Sequence, residues 1–299
     1  MHITDQKILS KYNIIKQLGR GGYGDVYLAV RNSDGKQVAI KKVEVKPEER
    51  EDLEKAIDKA LIEIRLLKKV SAEPACNLYI SCYIEHIINW NDGIIYLVME
   101  YIDGPNLKDY VEPLYETQDS ETMLQIIYKT SKAMALALKH VHNNGILHRD
   151  IKPENIVIET STGIPKLVDF GIACQAMSKD NALCSGPDNE EVDQCCVGGG
   201  GTFSYVAPER ILYDVRYPQS DVWSLGASMY SLITRKIIWG HRDPATTTPS
   251  MIRQAILLEE PEKLGSGIEL LDNLVDGMTK KDIFDRITID GILKMLQYY

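Results

Sequence analysis

His148-Arg149-Asp150-Ile151-Lys152-Pro153-Glu154-Asn155, followed further along the chain by Asp169-Phe170-Gly171, is the part of the sequence on which the fold turns. Ahead of the first string, Leu124, Ile127, Tyr128, Met134, Leu138 and Val141 recur at helical spacing. They predict a long amphipathic helix ending at Asn143-Asn144-Gly145, where glycine relieves a left-handed C-terminal turn. Ahead of the second, residues 166–168 read as a short strand. Two aspartates, a lysine and an asparagine are therefore expected just beyond the ends of regular elements.

Toward the N-terminus the pattern changes to strands. Residues 12–18, 26–30 and 37–43 are β-branched or aromatic and are separated by the turn-forming stretches 19–24 and 32–35, which predicts a small sheet. Over 47–70, charged residues alternate with Leu53, Ile57, Leu61, Ile64 and Leu67 at spacings of three and four, an amphipathic helix with Pro47 suited to its first turn. Residues 94–101 predict another buried strand, broken by Asp103-Gly104-Pro105 as by a linker. Helical patterns then cover 219–234, 249–259, 268–278 and 287–298. Strands first and helices afterwards, joined near residue 102, predict an α+β protein of two lobes.

Gly19-x-Gly21-x-x-Gly24-x-Val26 lies between two predicted strands, so it is a hairpin and not the strand-to-helix turn of a dinucleotide fold. Glycines there let backbone amides approach phosphate oxygens, although a plain flexible hairpin would read the same. Val38-Ala39-Ile40-Lys41 puts a lysine on a strand among apolar neighbours, with Lys42 expected to take the solvent-facing position. An inward Lys41 needs an opposite charge, and Glu63 lies on the inward side of the following helix beside Ile64 and Leu67.

In this order, the glycine string, Lys41, His148–Asn155, Asp169-Phe170-Gly171 and Ala207-Pro208-Glu209 resemble the protein-kinase signature set, over about residues 12–289. The resemblance implies a two-lobed kinase-like fold: a small β-rich N-lobe with one main helix (about 1–101), a hinge (about 100–105) and a larger helical C-lobe (about 106–299). It implies transfer of the γ-phosphate of ATP, with Mg²⁺, to Ser and Thr hydroxyls of protein substrates. On that likeness Asp150 accepts the substrate proton, Lys152 steadies the γ-phosphate, and Asn155 and Asp169 hold Mg²⁺. Leu18, Gly19, Arg20, Gly21, Gly22, Tyr23, Gly24, Asp25 and Val26 cover the nucleotide, and Lys41, paired with Glu63, holds its α- and β-phosphates. Val26, Ala39 and Val157 flank the adenine, Met99 guards the back of its pocket, and Glu100 to Ile102 offer hinge backbone groups. By the same likeness Asp221 to Gly226 belong to the anchor helix of the large lobe, Glu209 pairs with Arg286, and His148, Phe170 and Leu67 stack.

Lys152, together with Gly201-Thr202-Phe203-Ser204-Tyr205-Val206 before Ala207, matches the Ser/Thr-specific members, in which Thr202 contacts Asp150 and Lys152. Val206 stands where proline-directed members carry arginine. Asn106 and Ser231 stand where arginine-directed members carry acids, which leaves Glu154 and predicts a weak preference for upstream arginine. Arg149 beside Asp150 goes with activation by a phosphorylated hydroxyl, yet Gly198 occupies the usual place. Ser178 or Ser185 could serve, or a carboxylate such as Asp193 could substitute permanently; we expect the second. The segment 169–209 is long and acidic and is expected not to pack as an element. Cys184, Cys195 and Cys196 form no CxxC pair and read as incidental thiols, and Cys76 and Cys82 as packing residues. His86, His140 and His142 read as structural or surface residues.

Composition narrows the remaining classes. The 299-residue chain carries a net charge of -9, which argues against broad nucleic-acid binding, and no apolar run approaches a bilayer span. Residues 1–16 are interrupted by Asp5, Lys7, Lys11 and Lys16, so no secretory leader is expected; six cysteines are too few for a disulfide scaffold, and a cytoplasmic, monomeric protein is the expectation. A regulatory partner could act on the helix carrying Glu63. The alternatives are a pseudokinase or scaffold module that binds without catalysis, and a kinase of small molecules or lipids.

Overall fold

A computed structural model describes residues 6–21, 24–45, 53–73, 76–175, 202–239 and 247–299. The chain divides into two units, Met1–Asp103 and Gly104–Tyr299. The first contains α1 (Gln6–Leu9), β1 (Tyr12–Gly21), β2 (Gly24–Arg31), β3 (Gln37–Glu44), α2 (Leu53–Val70), β4 (Tyr83–Asn89) and β5 (Ile94–Glu100). The five strands form one antiparallel sheet in the order β1-β2-β3-β5-β4.

Register explains which side chains gather. Val26 pairs with Lys41 and Leu28 with Ala39, while Ala39 and Lys41 pair with Met99 and Leu97 on the other side. Side chains alternate along a strand, so these residues share one face of the sheet. Tyr27, Ala29, Val38, Ile40, Tyr96 and Val98 occupy the opposite face, where Ile8 and Tyr12 complete a buried core. Gly24 has φ +126°, and a Cβ there would lie 2.4 Å from the Lys42 carbonyl oxygen, so β2 can approach β3 at the hairpin only as glycine.

Three features of this unit differ from the sequence reading. β4 was not expected: Glu85, His86 and Asn89 interrupt its apolar pattern, and among the described residues it survives as an edge strand because β5 supplies its ladder. Lys42 does not face solvent. It is 7% exposed and bonds Glu44 at 2.7 Å, because the sheet face opposite Lys41 is covered as well. Cys76 and Cys82 are not ordinary packing residues; they form a disulfide. The predicted helix start at Pro47 lies outside the described residues.

The second unit begins with α3 (Leu107–Thr117) and α4 (Ser120–Asn143). Short strands follow: β6 (Ile146–Leu147) pairs with β9 (Cys174–Gln175), and β7 (Ile156–Ile158) with β8 (Pro165–Leu167). The remaining helices are α5 (Pro208–Tyr213), α6 (Pro218–Thr234), α7 (Pro249–Leu258), α8 (Glu269–Met278) and α9 (Ile289–Met295). α3 escaped the sequence reading because Pro113 lies inside it, a position that normally argues against a helix. Asn106 caps it by accepting the Asp109 N–H. The ends of the segment 169–209 also carry structure: β9 at one side, and a 3-10 turn (Phe203–Tyr205) leading to the buried Pro208 and Glu209 at the other.

α6 is buried nearly all round, as suits a central helix packed by α4 and α8. Trp223 stacks on Trp239 with ring centroids 5.6 Å apart, and the buried Arg286 reaches past Trp223 to make a two-armed ion pair with Glu209 at 2.9 and 3.0 Å. No helix among the described residues is long and apolar enough to cross a membrane.

Gly226 marks the closest approach of α6 to α8: a Cβ would lie 2.6 Å from Met278 Cβ and 2.8 Å from Thr279 Cγ2. Gly226→Ala should therefore cost ~1–3 kcal/mol from overpacking, of which the ~1 kcal/mol gain in helix propensity offsets only part. Gly277→Ala, whose Cβ would meet Ile287 at an ordinary 3.4 Å, should be neutral or stabilising. Thermal denaturation of the two variants checks the contrast.

Candidate active site

The first unit contributes a charge pair. Lys41 Nζ bonds Glu63 Oε1 at 2.7 Å with side chains 5% and 15% exposed, which fixes α2 over the sheet face that carries Val26, Ala39 and Met99. Removing either partner of such a pair leaves a buried charge uncompensated, at a cost of ~3–5 kcal/mol. Arg20 and Asp25 face each other across the glycine hairpin at 3.1 Å, and Leu18 is exposed. Gly19 and Gly21 lie in β1 and Gly24 in β2, so the hairpin is tighter than the turn 19–24 expected from sequence; Gly22 and Tyr23 fall outside the described residues. At the far end of β5, Glu100 accepts the Cys82 N–H on Oε2 at 3.1 Å and donates its own N–H to the Cys82 carbonyl at 2.8 Å. Ile102 is buried.

The second unit gathers the other polar residues around one carboxylate. Asp150, 7% exposed, takes Lys152 Nζ on Oδ2 at 2.6 Å, Asn155 Nδ2 on Oδ2 at 3.0 Å, and the Thr202 hydroxyl on Oδ1 at 3.3 Å. Lys152 Nζ also donates to Thr202 Oγ1 at 3.0 Å. Asn155 ties the loop to itself through the Asp150 carbonyl at 2.8 Å, and its own carbonyl accepts the Val168 N–H at 2.9 Å. That last bond brings the end of β8 to Asn155, and Asp169 follows with φ +61° and its Oδ1 on the Gly171 N–H at 3.2 Å. Val157 lies in β7 and is bridged to Asn106.

Asp221 holds this loop from below. Buried to 2%, it accepts the His148 N–H at 3.0 Å, the Arg149 N–H at 2.8 Å and His142 Nε2 at 2.8 Å. Burial alone would raise its pKa, but the bond and charge from His142 and the other donors prevail and hold it below the usual carboxylate range. Arg149 pays a left-handed φ of +73° for its place there. His148, fully buried and edge-on to Phe170 at 4.7 Å, is pushed below the ordinary histidine pKa by desolvation. Leu67, the third member expected in that stack, is buried within the first unit.

Sequence reasoning missed the part of Asp221 as the acceptor of two loop amides, and it missed Arg210 and Arg216. Both line a small cavity with Arg149, and Arg216 is only 4% exposed. Burial, reinforced by Arg149 and Arg210, pushes its pKa down to about 10. Only burial identifies Arg216 as part of a charge cluster, and burial of an isolated arginine has no signature in sequence. Ser178, Ser185, Asp193, Gly198, Cys184, Cys195 and Cys196 lie outside the described residues. Cys174 is disulfide-bonded.

The fold and these groups define the protein-kinase class. The family model described as protein kinase domain matches residues 12–297. The chain is 32% identical over 234 residues to the maternal embryonic leucine zipper kinase of Danio rerio, covering 77% of this chain and 30% of that protein. It is 33% identical over 228 residues to the serine/threonine-protein kinase Nek5 of Homo sapiens, covering 76% and 28%. Over 247 residues it is 31% identical to the serine/threonine-protein kinase chk-1 of Caenorhabditis elegans, covering 82% and 44%. The chain thus spans less than half the length of each of these three relatives. It belongs to the protein kinase domain family.

The buried His148 and the half-buried His86 give a pH dependence with a definite sign. His148 and His86 both have pKa values lowered from 6.5, chiefly by desolvation. Below pH ~6.5 the unfolded chain therefore binds more protons than the folded one, and stability falls as pH drops through that window toward the lowered values. Asp221, shifted down from an already acidic value, keeps its contribution until far lower pH. Stability, followed by thermal denaturation, should fall between pH 7.5 and 5, and His148→Phe should flatten the slope.

Proposed function

We propose that this chain is a serine/threonine protein kinase that transfers the γ-phosphate of ATP to Ser and Thr hydroxyls of protein substrates. The observation that carries the reading is the bonding around Asp150, with Lys152, Asn155 and Thr202 on its two oxygens. Phosphoryl transfer asks for positioning and charge compensation more than for covalent chemistry. A carboxylate oriented on both oxygens can receive the hydroxyl proton as the nucleophile attacks, and the adjacent ammonium of Lys152 offsets negative charge on the transferring group.

Lys41, kept in place by Glu63, suits the α- and β-phosphates, and the apolar face made by Val26, Ala39 and Met99 suits an adenine. Asn155 uses its amide hydrogens on the Asp150 carbonyl and carboxylate, bonds that do not engage its amide oxygen, and its backbone carbonyl holds the Val168 N–H one residue before Asp169. Oxygen donors from one carboxylate and one amide fit a hard cation that keeps waters and phosphates as its other ligands, so these two residues would hold Mg²⁺. Magnesium there would neutralise charge on the phosphates.

Two specificity features follow. Glu154 is engaged by Lys108 at 3.2 Å and Asn106 is spent on capping α3, which supports a weak preference for upstream arginine. The cluster of Arg149, Arg210 and Arg216 supports control by an anionic group of the chain's own segment before Thr202. The helix carrying Glu63 remains the natural point of action for a regulatory partner. ATP as donor favours a cytoplasmic setting, with the monomer as the acting species. The pseudokinase reading gains nothing from the site, since Lys41, Glu63, Asp150, Asn155 and Asp169 are all present.

Labelled phosphate from Mg-ATP should appear on Ser and Thr of a mixed protein substrate, and Asp150→Asn should reduce the rate roughly a hundred- to ten-thousand-fold while the chain stays folded and binds ATP. Equal rates for the two proteins would refute the assignment. On a peptide array, a profile dominated by upstream arginine would contradict the specificity reading.

A further inference from the structure

Cys76 and Cys82 lie on the connection between α2 and β4, six positions apart, with a disulfide joining them and their Cα atoms 5.3 Å apart. Cys76 is exposed and Cys82 is 3% exposed. A small reagent can therefore reach one sulfur, while the other lies among backbone bonds. Cys82 exchanges two hydrogen bonds with Glu100, at 3.1 and 2.8 Å, and the neighbouring Ser81 hydroxyl donates to the Glu100 carbonyl at 3.4 Å. On the other side of the connection, the Ser71 N–H caps the end of α2 on the Leu67 carbonyl at 2.9 Å, and Ser71 Oγ donates to the Ile80 carbonyl and accepts the Asn77 N–H, both at 3.4 Å. The ring that the disulfide closes thus hydrogen-bonds at one side to Ser71, just past the helix that carries Glu63, and at the other to Glu100 at the end of β5.

We propose that Cys76 and Cys82 are a site of reversible thiol oxidation, a clamp whose oxidised form favours nucleotide binding and whose reduced form weakens it. Exposed disulfides are the labile and regulatory ones, and in reducing compartments disulfides are mostly transient. The reductant is a dithiol. Its thiolate attacks the exposed Cys76 sulfur, the S–S bond breaks, and Cys82 leaves as a thiolate and takes a proton. The second thiol of the reagent then displaces Cys76, so the chain gains two electrons and two protons and the reagent leaves as its cyclic disulfide. The nucleotide half of the inference rests on the kinase reading above; the mechanical half does not.

The chain is compared as isolated, after dithiothreitol, and as Cys76→Ser. Iodoacetamide labelling with peptide mass spectrometry should find Cys76 and Cys82 blocked before reduction and both labelled after it. Hydrogen exchange at Cys82, Tyr83 and Glu100 should quicken on reduction, and the KM for ATP should rise roughly fivefold or more with little change in kcat. Cys76→Ser should show the faster exchange and the raised KM without dithiothreitol, which separates the clamp from the disulfide of Cys174. Because coupling is reciprocal, saturating ATP should shift the dithiothreitol equilibrium toward the disulfide by the factor by which reduction raises the ATP Kd. Labelling of both thiols without reduction, or unchanged exchange and KM after it, overturns the clamp. If no phosphate is transferred in either state, the kinase reading fails, whereas faster exchange on reduction would still support the clamp.

Discussion

A buried carboxylate is tolerable only when its charge is met by donors, and in the second unit Asp221 meets that condition with groups of the loop that leads to Asp150. The amides of His148 and Arg149 and the ring of His142 all converge on it. Those bonds compensate the left-handed backbone of Arg149, and the loop beyond it presents Asp150 to Lys152, Asn155 and Thr202. Asp221 itself is placed by α6, which is packed on every side and approaches α8 so closely that only glycine fits at position 226. The geometry of a polar loop thus depends on the packing of an apolar helix.

The first unit solves a similar problem with a sheet. Alternation along β2, β3 and β5 puts Val26, Ala39, Lys41, Leu97 and Met99 on one face, and the Lys41–Glu63 pair sets a helix over it. The opposite face is filled by the core around Tyr12 and Tyr96, which is why Lys42 must find Glu44 and cannot simply extend into water. Two adjacent buried lysines are supported by two acids, and each pairing stiffens the strand from a different side.

Charge is arranged locally against the sign of the whole. The chain carries a net charge of -9, yet Arg149, Arg210 and Arg216 share a cavity next to the Asp150 loop. Their mutual repulsion, added to burial, lowers the Arg216 pKa, a cost that is met when an anionic group is near.

The fold class and the placement of most candidate site residues on their elements were legible in the linear sequence because their signals are local: period-two and period-3.6 patterns, glycines at a hairpin, and strings such as His148–Asn155 whose spacing is set by one loop. Lys41 and Glu63 could be matched from strand and helix faces alone. What escaped depends on distant segments meeting. β4 is a strand because β5 pairs with it, and α3 is a helix despite Pro113 because Asn106 caps it and Leu107 and Val111 are buried. The burial of Lys42 and Arg216, the hold of Asp221 on the loop amides and the Cys76–Cys82 bond follow the same rule. Sequence by itself determined which chemical groups the chain carries and the elements on which they ride; tertiary structure decided which groups lose water and which donors and acceptors then have to meet, since burial and pairing are properties of neighbours in space.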